Sequence, residues 1–208
     1  MKVLVLEEQA GASCEAALHL ADAGHEIVRC HGADEAAFPC HGMTEDHCPL
    51  DDGDVMVALM VQAPDGAVIA GDAAEDGARC ALRRHIPLVV AGRPDYSPLE
   101  TWASAVVADG ASVTSVVEEV GQQPSPRHGD VAEGAFAGVL EAHGLDPAIA
   151  AAAVVRQGAD LHVELHPNAP VDRQILEIAS VRVAGALRRF DPFPRVIDVV
   201  IAPTHLSD

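Results

Sequence analysis

The sequence predicts an α/β protein: a doubly wound parallel sheet over residues 1–121, followed by a small α+β domain over residues 131–208. Three observations carry this. Val55 to Val61 (VMVALMV) is an unbroken apolar run of strand length, the pattern of a strand buried on both faces of a parallel sheet. Segments with apolar residues at helical spacing separate this run from others like it, which implies βαβ units. The stretch Gln122 to Asp130 (QQPSPRHGD) crowds Pro, Ser, Gly and polar residues together, and reads as a linker over 122–130.

Within the first domain, Lys2 to Leu6 reads as a strand and Glu7 to Ala12 as a turn. A helix follows from Cys14 to Ala23, with Ser13 as N-cap, Glu15 in the first turn and Gly24 just past the end. His25 to Arg29 is a short strand leading into an irregular Cys- and His-bearing connection that runs to Gly53. After the Val55–Val61 strand, Asp72 to Arg84 reads as a helix with Ala74, Ala78, Ala81 and Leu82 on one side. Ile86 to Ala91 is another apolar strand, Arg93 to Pro98 a proline-bounded loop, Trp102 to Ala108 a fifth strand and Val113 to Gly121 a last helix, with Leu99 as an alternative helix start.

In the second domain, Val131 to His143 carries Ala132, Phe136, Val139 and Leu140 at helical spacing, and Gly144 stops it. Ala150 to Arg156 and Leu161 to His166 read as a hairpin turning at QGAD, though Asp146-Pro147 can equally start a short helix. Asp172 to Arg189 is the plainest helix, with Asp172 as cap, Ile175, Leu176, Ala179, Val183, Ala186 and Leu187 on one face, and two arginines at the dipole's negative end. Val196 to Ala202 is a final strand.

Composition narrows the function. The chain of 208 residues has 13 Lys+Arg against 32 Asp+Glu, a net charge of −19, and its only lysine is Lys2. Nucleic-acid and anionic-membrane binding both need clustered cations, so neither partner is expected. Aromatics make up 3% against 49% hydrophobic residues, so the core is built from Ala, Val, Leu and Ile. The N-terminus lacks the pattern of a signal peptide, which points to the cytoplasm, and the five cysteines then read as reduced thiols or metal ligands.

In a doubly wound fold ligands meet the carboxyl ends of the strands, here Glu7, Glu8, Cys30, Gln62, Gly92 and Arg93. At VLVLEEQ, Glu7 and Glu8 follow the first strand as the paired acids of response-regulator receiver domains do, and the first domain resembles that receiver, or flavodoxin-like, family. Such a pair can hold a hard cation. The remaining phosphorylation residues of that family are missing. Ala58-Leu59-Met60-Val61 offers no acceptor aspartate, Ala91 or Gly92 fills the hydroxyl position, and there is no lysine after the fifth strand. The resemblance therefore implies a degenerate receiver, with solvated acids as the plainer reading of Glu7 and Glu8. The second domain is similar in pattern to the alkaline shock protein family at GADLHVEL, the Ile175 to Leu187 helix and RVIDVVIA, which implies a non-catalytic association module.

Chemistry-bearing residues concentrate between positions 30 and 48. Cys30, Cys40, His41, His47 and Cys48 form a candidate zinc site, since thiolate and imidazole suit zinc and a metal can order a loop lacking its own core. There is no CxxC pair, and a loop with surface histidines and partly buried thiols is the alternative. The turn ahead of Ser13 and Cys14 is a candidate anion-binding helix start, where the dipole can also activate a thiol; turn chemistry and a small packed residue are the plainer reading. Cys80 reads as buried. His162, Glu164 and His166 alternate on one face of a strand, which reads as its solvent side. No Ser/His/Asp set stands out.

These features lead to the expectation of a non-catalytic regulatory or assembly protein that works with a protein partner or as a homo-oligomer, its N-terminal loop ordered by zinc. The alternative is a metal- or thiol-dependent enzyme, or a redox or metal sensor, using the same Cys/His loop.

Overall fold

The computed structural model describes residues 1–32, 40–44, 47–62, 73–92, 99–108 and 110–202. The chain divides into two units, Met1–Gln122 and Gln123–Asp208.

The first unit contains β1 (Lys2–Glu7), α1 (Cys14–Asp22), β2 (Glu26–Val28), the one-turn α2 (His41–Thr44), β3 (Val55–Val61), α3 (Ala73–Arg83), β4 (Leu88–Ala91), β5 (Ala105–Val106) and α4 (Val113–Gln122). Its five strands pair in the order β2-β1-β3-β4-β5, every pair parallel. This is the order of flavodoxin-like sheets, whose switch point falls between β1 and β3. Alternation along the strands builds two cores. Leu4, Leu6, Ala58, Met60, Leu88 and Val90 pack with Ala78 and Ala81 of α3, while Val3, Val5, Val57, Leu59 and Val89 pack with Leu20 of α1 and Val117 and Val120 of α4. Close packing favours small residues: a Cβ on Gly77 would lie 2.5 Å from Leu6 Cδ2, so a side chain there would have to displace Leu6.

The expected fifth strand is mostly absent. Trp102 closes a turn by donating its amide to the Leu99 carbonyl, Glu100–Trp102 is a 3₁₀ turn, and only Ala105 and Val106 pair with β4. The predicted loop 93–98 lies outside the described residues.

The second unit contains α5 (Pro126–Ala142), β6 (Ala152–Gln157), β7 (Asp160–Leu165), α6 (Arg173–Phe190) and β8 (Ile197–Ile201). The hairpin β6-β7 is antiparallel, and α6 returns the chain so that β8 joins β7 in parallel. Both helices lie against one core made with Val154, Leu161, Val163 and Leu165. Helix α5 starts within the expected linker, at Pro126, because a proline in the first helical position gives up an amide that has no helical acceptor. Pro147–Ile149 forms a 3₁₀ turn capped by Asp146, whose carboxylate accepts from the Ala148 amide at 2.9 Å, so β6 begins at Ala152. Asp172 caps α6 as expected, accepting from the Gln174 amide at 2.8 Å.

Among the described residues no helix is long and apolar enough to cross a membrane.

Candidate functional site

At the carboxyl end of β1 the two acids part company. Glu7 is 4% exposed and turns inward. Its Oε2 accepts from the Ser13 hydroxyl at 2.7 Å and the Ser13 amide at 3.1 Å, and Arg29 Nη1 stands 3.7 Å away while donating to Ser13 Oγ at 2.9 Å. Burial pushes the Glu7 carboxyl up, but the Ser13 and Gly11 hydrogen bonds and the Arg29 charge outweigh it, so Glu7 is held below the usual carboxylate range. Ser13 does stand at the N-cap of α1, yet its side chain makes no capping bond; its oxygen accepts from Arg29 and its proton goes to Glu7. Glu8 instead accepts from Gln62 Nε2 at 3.2 Å, and the buried Gln62 Oε1 has no hydrogen-bond partner. Gly92 closes over this side chain at φ +109°, where a Cβ would sit 3.0 Å from the Gln62 Cβ and carbonyl. Arg93 lies outside the described residues, and Cys14 is exposed.

The sole lysine sits at the opposite, amino edge of the same sheet. Its ammonium is 2.8 Å from Asp54 and 3.5 Å from Glu26, and these carboxylates raise its pKa, Asp54 most.

Described residues of the Cys/His connection contribute to the core on one face of the sheet. Leu50 is fully buried, and Cys30 and Cys48 pack beside it on the α3 side of the sheet. Gly42 of α2 comes so close to Cys48 that a Cβ there would lie 3.0 Å from the Cys48 Cβ. Burial, with the neighbouring Cys48, Cys40 and Cys80 thiols, pushes the Cys30 thiol up to about 12. Burial also raises Cys48. Cys40 is half-buried, His41 opens α2, and the exposed His47 stands 3.9 Å from Asp52. Residues 33–39 and 45–46 of the connection lie outside the described residues, and among those described no group of three or more His, Cys, Asp or Glu side chains is arranged to hold a metal. Cys80, expected to be buried, is exposed. His162 and His166 lie on the strand face opposite the buried Leu161, Val163 and Leu165 and turn to separate acids, Asp198 at 3.5 Å and Glu164 at 3.3 Å.

The second unit holds a polar set that the linear sequence concealed. Asp191, fully buried after the last turn of α6, accepts at Oδ2 from Arg156 Nη2 at 2.6 Å and faces His128 Nε2 at 3.0 Å. His128 Nδ1 lies 2.6 Å from Ser125 Oγ, and Asp191 Oδ1 accepts from the Phe193 amide at 3.1 Å. Phe190 meets the imidazole edge-on, with centroids 5.2 Å apart. Burial alone would raise the Asp191 carboxyl, but His128, Arg156 and the Phe193 amide hold it below the usual range. Ser125 and His128 stand three positions apart at a helix start, a visible S-x-x-H pattern, but Asp191 joins them across 63 residues.

Fold and sites together define a two-unit α/β protein, with a five-stranded all-parallel sheet in one unit, a small mixed sheet in the other, and in each a buried carboxylate facing an arginine, joined to a serine directly in the first and through His128 in the second. Compared with known proteins, no family model matches this chain and no curated protein gives a significant match.

Proposed function

We propose that the first unit is a degenerate receiver-type module with a regulatory or assembly role, and that it does not transfer phosphoryl groups. The inward turn of Glu7 is the observation that carries this reading. A strand-end acid that holds magnesium needs free oxygens facing solvent, whereas Glu7 spends its charge on Ser13 and Arg29. Lysine is likewise committed, to Asp54 and Glu26 at the far edge of the sheet. For the second unit, association draws support from α6, where Val181 is 73% exposed and Ile178 edges a shallow groove between α5 and α6 with Arg182 and Arg189. The partner is another protein or a second copy of the chain.

Incubating the protein with magnesium and a small acyl phosphate tests the reading. Intact-mass measurement is expected to show no phosphorylated species, and stoichiometric acyl-phosphate formation would overturn it. Zinc at Cys30, Cys40, His41, His47 and Cys48 is a companion proposal, supported by Cys30 and Cys48 packing against the same core cluster. Metal analysis of untagged protein beside a Cys48→Ser variant tests it, with zinc retained by the first and lost by the second as the expected result.

A further inference from the structure

We propose that Ser125 is a nucleophile for acyl transfer, activated by His128 and Asp191 and directed at neutral carboxylic esters. This activity belongs to the second unit and stands apart from the regulatory reading of the first. An ionised Asp191 only accepts hydrogen bonds, so the neutral imidazole carries its proton on Nε2 and turns the Nδ1 lone pair toward the Ser125 hydroxyl. That is the resting arrangement of a serine–histidine–carboxylate nucleophile, with the two ring nitrogens exchanged relative to the serine-protease template; such sets are recognised by geometry and role.

Exposure divides the labour accordingly. His128 is 1% exposed and Asp191 0%, while Ser125 is only partly covered. Ser125 occupies the N-cap of α5 without a side-chain capping bond, its hydroxyl serving the ring instead. Arg156 and the Phe193 amide fix the two Asp191 oxygens separately, and Phe190 sets the plane of the ring. These are positioning contacts.

In the reaction Ser125 Oγ attacks the ester carbonyl carbon, and the new C–O bond forms as the hydroxyl proton passes to His128 Nδ1. Negative charge collects on the carbonyl oxygen at the amino end of the 17-residue α5, where aligned peptide dipoles favour it. Pro126 has no N–H, so the Arg127 amide is the first available donor. The bond to the leaving alcohol then breaks, and the alcohol departs with the proton from His128. Water repeats the sequence on the acyl-serine, releasing a carboxylic acid and restoring Ser125. A chain of net charge −19 repels anionic esters, which favours neutral ones.

A fluorophosphonate probe on the full chain tests this, because the Ser125 oxygen displaces fluoride to form a stable O–P bond. Peptide mapping is expected to place one adduct on Ser125 of the native protein, with none on protein boiled beforehand and none in Ser125→Ala. His128→Gln, checked for native circular dichroism, is expected to label about 100-fold more slowly, the scale of a lost general base. Native wild-type protein that leaves Ser125 unmodified, or labels it no faster than boiled protein, overturns the proposal whatever the variants do.

Discussion

The two units solve similar problems with nearly the same parts and reach different chemistry. Each buries a carboxylate, gives it an arginine and links a serine to the set. In the first unit the Ser13 hydroxyl donates straight to Glu7 and accepts from Arg29, so both ends of the hydroxyl are used and nothing in the set can take up a proton at neutral pH. In the second unit an imidazole stands between serine and carboxylate, and the serine donates into a ring that can receive its proton. One inserted side chain separates a closed structural lock from an activated hydroxyl.

Asp191→Ala breaks the comparison most sharply. It strips the carboxylate from a buried arginine and histidine, and the second unit is expected to lose about 3–5 kcal/mol, the scale of a buried charge left unpaired. Hydrogen exchange across β6 to β8 measures it. Glu7→Gln keeps an oxygen for Ser13 and loses the charge facing Arg29, so the expected loss in the first unit is smaller, about 1–3 kcal/mol by urea denaturation.

Gly92→Ala tests the cover over Gln62. A side chain at φ +109°, in contact with the Gln62 backbone, is expected to cost about 1–3 kcal/mol, read by Trp102 fluorescence. Acid should act on both units with the same sign. Glu7 and Asp191 are depressed when folded, so their contribution is complete above the ordinary carboxylate range and falls away as pH drops below about 5 toward the folded values. Thermal unfolding followed from pH 7 to pH 3 should show decline on the acid side, and a rise there would contradict both assignments. The mildest test is thiol alkylation at pH 8, where exposed Cys14 and Cys80 should react first and Cys30, its thiol at about 12, last.

What the sequence made legible follows from how local each signal is. β3 matches its apolar run residue for residue, since burial on both faces leaves no other pattern, and Asp172 caps α6 because capping is a contact over two positions. Trp102 misled because an aromatic beside Ala and Val resembles a strand, while a turn closed by Leu99 leaves its ring 59% exposed. Cys30 and Cys48 drew attention as metal ligands by composition, yet both also serve as small packing residues beneath α3, and no linear spacing separates those roles. The Ser125 set stayed hidden for the opposite reason: half of it is a three-residue spacing easily read as ordinary capping, and the other half exists only once the start of α5 and the end of α6 come together.

Lys2 has a practical consequence of its own. As the single lysine, it gives side-chain amine chemistry one address in the chain, at the amino end of β1 and away from the carboxyl ends of the strands. Its ion pairs raise its pKa, so coupling there needs alkaline conditions, and a surface or dye attached through it leaves every residue of the second unit unmodified.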